Sequence, residues 1–307
     1  MHLLTVSGIQ KWEGKEHILK GISFKQDRFQ NIAIVGESGS GKSTLLRIIA
    51  GFTQADSGEV LFEQQKVKGP MEKLIPGHSG IAYLSQHYEL RNNYKIEELL
   101  RYANKLPAAD AAALYRVCRI DHLLDRKNDQ ISGGEKQRIA LARLLVTAPR
   151  LLLLDEPFSN LDLINKGILK SVIRELGERL KITCLLVSHD PTDILPWAGE
   201  IIVMKDGAIV QKGSPVQVYK HPVNEYAAGL FGKYNQISSG GKMQFVRPED
   251  LRIVTGTPNT LMGKVRKVFY LGNAFELEVM LLNELVTIRT IDGTIRAGDT
   301  VHVALAN

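Results

Sequence analysis

The chain has 307 residues, 44% hydrophobic and 23% charged, close to the globular average, which excludes a disordered or fibrous chain. Lys and Arg total 39 against 33 Asp and Glu, a formal charge of +6, but the tail from Lys242 onward holds 8 basic and 7 acidic residues, so the excess is thinly spread and reads as an ordinary solvated surface. No apolar run nears the ~18 residues that cross a bilayer, Met1-His2-Leu3-Leu4-Thr5 lacks a signal peptide's basic start, and two cysteines make no disulfide framework, so a reduced cytosolic chain is expected.

Leu3-Leu4-Thr5-Val6 and Ile18 to Phe24 carry apolar residues at alternating or adjacent positions and are predicted as short strands. Asn31-Ile32-Ala33-Ile34-Val35 is a compact apolar strand that runs into a glycine-rich turn, and Thr44 to Ala50 continues with helical character. Glu59-Val60-Leu61-Phe62 follows the turn Asp56-Ser57-Gly58 as another strand. From Ile96 to Leu124 the pattern is helical and alanine-rich. Leu151 to Leu154 and Thr183 to Val187 are apolar runs, each preceded by a helical segment. Strands alternating with helices predict a parallel sheet covered by helices, an α/β core. After about Asn235 the texture changes: Ser238-Ser239-Gly240-Gly241 has the composition of a flexible linker. Short strands are then predicted at Gln244 to Arg247, Gly263 to Leu271, Phe275 to Met280, Val286 to Arg289 and Thr300 to Ala304, separated by turns. This is the pattern of a small all-β barrel. The domains are accordingly drawn as 1–235 and 236–307.

Gly36-Glu37-Ser38-Gly39-Ser40-Gly41-Lys42-Ser43 fits G-x-x-x-x-G-K-[ST] and lies between a strand and a helix, as a phosphate cradle requires. Glycines let successive backbone N–H groups turn inward, and the helix start at Thr44 adds its positive dipole end. Lys42 supplies a point charge for the β- and γ-phosphates, and the Ser43 hydroxyl is a Mg²⁺ ligand. Leu151-Leu152-Leu153-Leu154-Asp155-Glu156 is the matching half: a buried strand delivers two carboxylates to the edge where ligands bind such sheets. Asp155 is expected to hold Mg²⁺ through water, and Glu156 to polarise the attacking water. Together these residues imply binding and hydrolysis of a nucleoside triphosphate. Cys118, in a helical run, and Cys184, in an apolar strand, are expected to act as packing, and Lys264, Arg266 and Lys267 as a solvated face.

Ile131-Ser132-Gly133-Gly134-Glu135-Lys136-Gln137-Arg138 resembles the signature motif of ABC-type ATPases, with Ile131 and Glu135 where Leu and Gln are commonest. Further marks follow the family's order. Gln86 in Tyr83-Leu84-Ser85-Gln86 resembles the Q-loop, Ser159-Asn160-Leu161-Asp162 the D-loop, and His189 in Ser188-His189-Asp190 the switch histidine. Trp12 stands where the family has an adenine-stacking aromatic. The resemblance implies a P-loop NTPase core with a helical subdomain, and two such domains meeting head to tail, each ATP sandwiched between one cradle and the other copy's Ser132-Gly133-Gly134. It also implies Glu156 as catalytic base, His189 on the γ-phosphate, and Gln86 sensing Mg²⁺ and the attacking water. A serine hydroxyl and glycine N–H groups at a helix start suit that role, and they suit a plain helix cap as well.

Ile201 to Gly213, continuing to His221-Pro222, resembles the segment after the switch in importer ATPases of the sugar, polyamine, ferric iron and sulfate type. Phe245-Val246-Arg247-Pro248-Glu249-Asp250 and Tyr270-Leu271-Gly272 resemble their C-terminal TOBE domain, an OB-like barrel. The likeness implies a motor on the cytoplasmic face of the inner membrane, peripheral, paired as a homodimer. It would dock on separate permease subunits and act indirectly with a substrate-binding protein. His87 to Leu100 is expected to face the permease, although Arg91-Asn92-Asn93-Tyr94-Lys95-Ile96 replaces the usual Pro-His-x-Thr-Val stretch. The alternative is a soluble ATP-driven switch whose barrel binds nucleic acid or a regulator, and an exporter ATPase is a third reading. A nucleic-acid barrel calls for exposed aromatics and a basic stripe; the tail offers Phe245, Phe269, Tyr270 and Phe275 and no stripe, so no nucleic acid is expected.

Overall fold

The computed structural model describes residues 2–86, 94–239, 242–254, 260–282 and 284–305. They form two compact units, Met1–Pro215 and Val216–Asn307.

The first unit opens with β1 (His2–Glu13) and β2 (Glu16–Asp27), a hairpin far longer than the two short strands expected. Bulges at several points of its register break the alternation that sequence patterning relies on. Then come β3 (Asn31–Val35), α1 (Lys42–Ile49), β4 (Ser57–Phe62), β5 (Gln65–Lys66) and β6 (Ile81–Leu84). The helical stretch resolves into α2 (Ile96–Ala103), α3 (Ala108–Val117) and, past two short 3₁₀ turns, α4 (Gly133–Leu145). The unit ends with β7 (Leu151–Asp155), α5 (Leu163–Leu180), β8 (Thr183–Val187), α6 (Pro191–Ile194), β9 (Glu200–Lys205) and β10 (Ala208–Gly213).

Two sheets result. The hairpin joins an antiparallel sheet of order β2-β1-β4-β5, in which Leu19, Ile22 and Phe24 are buried. The larger sheet has the order β10-β9-β3-β8-β7-β6 and is parallel apart from β10. Every residue of β7 and β8 is buried, as expected of strands covered on both faces. α1 packs Leu45, Leu46 and Ile49 into a core shared with Leu4, Ile9, Ile34, Leu153 and Leu185. Register decides where chemistry can occur: Ile34 and Asp155 both pair with Val187, and Leu84 pairs with Leu154. Four adjacent strands therefore end at one level, and the segments leaving them open on the same edge.

The second unit holds all but the first residue of α7 (Pro215–Lys220), then α8 (Glu225–Leu230), β11 (Asn235–Ser239), β12 (Lys242–Val246), β13 (Leu251–Val254), β14 (Leu261–Tyr270), β15 (Phe275–Leu281), β16 (Glu284–Thr290) and β17 (Thr300–Leu305). Five strands form an antiparallel sheet of order β13-β17-β14-β15-β16 whose two edge strands approach each other, curling around Val265, Leu277, Val279, Ile288 and Val303. The all-β tail is as expected; the linker is not. Ser238 and Ser239 belong to β11 and pair with Met243 and Lys242, so this composition marks a hairpin; Gly240 and Gly241 lie outside the described residues. Residues 216–235 also cluster with the strands that follow rather than with the α/β unit. Arg247, 1% exposed, gives the reason. Its Nε donates to the Tyr219 carbonyl at 3.0 Å, Nη1 is shared among the carbonyls of Ala228, Gly232 and Lys233, and the guanidinium lies 4.2 Å from the Tyr219 ring centroid. Lys264, Arg266 and Lys267 are exposed on β14 as expected. No helix among the described residues is long and apolar enough to cross a membrane.

Candidate active site

The loop from Gly36 to Gly41 leaves β3 and turns back over the start of α1. A Cβ at Gly36 would lie 2.2 Å from the Met204 carbonyl oxygen; one at Gly41, where φ is +90°, would lie 2.7 Å from Leu19 Cδ2, so the loop is drawn against its neighbours at positions only glycine fits. Lys42, 8% exposed, folds its ammonium into the loop and donates to the carbonyls of Gly36 (2.8 Å) and Glu37 (2.7 Å) and to Ser40 Oγ (3.2 Å). Burial holds its pKa below the ordinary lysine value, although Glu156, Asp155 and Glu37 pull the other way.

The carboxylates arrive from β7. Asp155 is buried, its Oδ1 accepting from Ser43 Oγ at 2.9 Å and its Oδ2 from the Tyr83 hydroxyl at 2.8 Å. Burial and the adjacent carboxylate push the Tyr83 phenol above its ordinary pKa, so it is a donor. Glu156 leaves the strand with φ +50°, a left-handed conformation uncommon outside glycine, fixed by its N–H donating to the Val187 carbonyl at 3.0 Å. That turn brings Glu156 Oε2 to 2.8 Å from His189 Nδ1, on the loop leaving β8. The loop is tied to α5 by charge: Lys166 Nζ lies 2.5 Å from Asp190 Oδ2 and 2.8 Å from Asp193 Oδ1, and Lys170 Nζ 2.7 Å from the same Asp193 oxygen.

One cavity of about 780 Å³ gathers Gly36, Ser38, Gly39, Gly41, Lys42, Ser43, Thr44, Gln86, Glu156 and His189, and Glu13, Glu16 and Ile18 line it too. Glu37 and Ser40 belong to the same loop but do not border the cavity, and Asp155 lies behind its wall. Trp12 does not line it either; its ring, 40% exposed, stacks on His17 with centroids 4.1 Å apart. Ser132, Gly133 and Gly134 are placed elsewhere, at the start of α4. Ser132 caps that helix, its Oγ accepting from the Glu135 N–H at 3.4 Å while its own N–H donates to Glu135 Oε2 at 2.7 Å. Ser132 and Gly133 are exposed, so the motif faces outward rather than toward this cradle. Of His87 to Leu100, residues 87–93 lie outside the described residues. Both cysteines are buried, and burial pushes their thiols up to about 12.

Sequence reasoning missed Tyr83, Lys166, Asp190 and Asp193, because strand register and helix docking bring them in. The hydroxyl of Ser43 on the cavity wall and the carboxylate of Asp155 behind it are hard oxygen donors within hydrogen-bonding distance of each other, a donor set that fits Mg²⁺. Chemically, the cavity combines a lysine ammonium, a serine hydroxyl backed by the Asp155 carboxylate and a second carboxylate held by a histidine, groups that phosphoryl transfer to water uses.

A family model described as ABC transporter matches residues 19–159, and one described as TOBE domain matches residues 245–307. The maltose/maltodextrin import ATP-binding protein MalK of Yersinia pestis bv. Antiqua is 31% identical over 319 residues, covering 91% of this chain and 85% of that protein. The sulfate/thiosulfate import ATP-binding protein CysA of Nephroselmis olivacea is 34% identical over 285 residues, covering 90% and 82%. Among solved structures, cbiO1 from Clostridium perfringens, part of the ABC transporter complex cbiONQ, superposes with a TM-score of 0.63 at 28% identity, covering 71% of this chain and 90% of its own. The ADP conformation of MJ1267, an ATP-binding cassette of an ABC transporter, gives 0.62 at 27% identity over 72% and 96%.

Proposed function

This chain belongs to the ABC transporter family, and from that premise we propose that it is the ATP-hydrolysing subunit powering solute import, working as a head-to-tail homodimer docked on separate transmembrane subunits. The observation that carries the reading is the convergence of Lys42, Ser43, Gln86, Glu156 and His189 on one cavity. ATP lays its phosphates in the 36–44 cradle, against the backbone amides and the Lys42 ammonium, with Trp12 next to the base. Glu156 accepts a proton from water as that oxygen bonds to the γ-phosphorus and the bond to the ADP oxygen breaks. His189, its Nδ1 held by Glu156, turns Nε2 toward the γ-phosphate. Ser43, Asp155 and Gln86 would hold Mg²⁺, which when bound offsets charge on the phosphate oxygens.

One cradle and one signature per chain support pairing, because Ser132 and Gly133, exposed and turned away from this chain's own cradle, suit a cradle on a second copy. The permease supplies the membrane spans, which places the subunit on the cytoplasmic face of the inner membrane, and a solute-binding protein acts through that permease. The test is Glu156→Gln, which keeps shape and removes the base. Phosphate release should fall by about 10²–10⁴ while ATP binding persists and dimers accumulate with ATP in light scattering. Turnover at the parental rate would remove Glu156 from the mechanism. Purification from membranes in mild detergent should bring down a multi-span protein; nucleic acid or ribosomes in its place would favour the soluble switch.

A further inference from the structure

We propose that Tyr83 is a positioning residue for Asp155: its hydroxyl, with that of Ser43, fixes the carboxylate in the orientation in which it receives a divalent cation. The inference rests on the ATPase reading above and extends it to a residue outside the phosphate, carboxylate and histidine motifs.

Asp155 is 3% exposed, and each of its carboxylate oxygens has a different anchor: Ser43 Oγ on Oδ1 at 2.9 Å and Tyr83 OH on Oδ2 at 2.8 Å. A carboxylate with one anchor still turns about its Cβ–Cγ bond; two anchors from opposite sides stop that rotation. Ser43 is itself a cation donor and must share its oxygen when the ion arrives, whereas Tyr83 need not move. The phenol is thus the anchor that persists through the binding step.

Strand geometry explains why this residue reaches. β6 and β7 run parallel, with Tyr83 paired to Leu153. Paired residues share a face, and so does Asp155, two positions beyond Leu153, roughly 6.6 Å farther along the strand. A serine or threonine at position 83 would fall short of that carboxylate; a tyrosine spans the offset. The ring is held in place too, packing against the main core with its centroid 5.9 Å from that of Phe52. Gln86, three residues later and just past the end of that strand, borders the cavity.

A tyrosine that merely fills space near a carboxylate would affect nucleotide binding alike with and without metal. A positioning residue affects only the metal-dependent part, and loss of such an outer contact typically costs about 10–100-fold in metal affinity. The experiment titrates the fluorescent nucleotide TNP-ATP into parent, Tyr83→Phe and Tyr83→Leu, first in EDTA and then against MgCl₂, with thermal unfolding of each. For Tyr83→Phe, affinity in EDTA should stay within about twofold, while the MgCl₂ concentration giving half the metal effect rises about tenfold. Tyr83→Leu should show the same metal shift on top of a lower melting temperature, since the hydroxyl and not the ring sets it. An unmoved MgCl₂ midpoint in Tyr83→Phe, or equal losses with and without metal, would overturn the proposal. If MgCl₂ changed nothing even in the parent, the ATPase reading would fall with it.

Discussion

Gly133 and Gly134 stand side by side at the start of α4, yet substitution by alanine should destabilise at one and leave the other unchanged. A Cβ at Gly134 would lie 2.5 Å from both Cγ and Oδ1 of Asn165 and 2.9 Å from its Cβ, while one at Gly133 meets nothing within 4 Å. Asn165 cannot swing aside freely: its Nδ2 donates to Asp162 Oδ2 at 2.6 Å, and its Oδ1 accepts from Arg138 Nη1 at 3.4 Å. Asp162 in turn caps α5, accepting from the N–H groups of Ile164 and Asn165. Overpacking costs about 1–3 kcal/mol, a disturbed cap about 1 kcal/mol more, and the better helix propensity of alanine offsets up to about 1 kcal/mol. The net for Gly134→Ala is a loss of about 1–3 kcal/mol, a fall of about 2–12 °C in melting temperature for a unit of this size. Gly133→Ala should melt with the parent, within about 0.5 kcal/mol. Calorimetry on the nucleotide-free protein reads both. Adding Asn165→Ala to Gly134→Ala should restore much of the loss, with a coupling of about 1 kcal/mol or more. Equal melting of the two single variants, or strict additivity in the double, would refute the steric reasoning.

Lys42→Ala should abolish measurable nucleotide binding in calorimetric titration, because the phosphate charge loses its main partner; unchanged affinity would exclude the cradle. Lys166→Met should weaken the protein at neutral pH and flatten its response to acid. Burial alone would raise the pKa of Asp190, but hydrogen bonds from Lys166 and Thr192 outweigh it and hold the carboxyl at about 2. A carboxylate lowered from about 3.9 in the unfolded chain contributes stability above that pH and loses it as pH falls toward 2. Melting temperatures measured from pH 5 to 2 should therefore converge for parent and variant, and parallel curves would show that Lys166 does not set the Asp190 pKa.

Much of the site is legible in the sequence because its parts are contiguous. Asn31 to Ser43 carries strand, turn and charge within one short window and Leu151 to Glu156 strand and charge, and the structure joins them because β3, β8 and β7 end in register. What stays illegible depends on pairs distant in sequence. Tyr83 reaches Asp155 across 72 positions through strand register, and Lys166 meets Asp190 only once α5 has docked. The long first hairpin hides because bulges reset its alternation, and Ser238-Ser239 reads as linker because serine and glycine serve flexible tethers and tight hairpins equally. Arg247 is the sharpest case, since a charge in a sequence is taken for surface and this one is buried among carbonyls.

That guanidinium also dictates where the chain can be recombined. Its acceptors, Tyr219, Ala228, Gly232 and Lys233, all precede the point where composition turns β-rich. A splice at residue 235 would hand the arginine to one parent and its carbonyls to another, leaving buried polar groups unmatched at about 1–3 kcal/mol each. Moving the junction to Pro215 lets α7 and α8 travel with the strands that they cluster with. Chimaeras that graft this tail onto another motor should be cut there, and a library of crossover points would find its soluble members on that side of the arginine's reach.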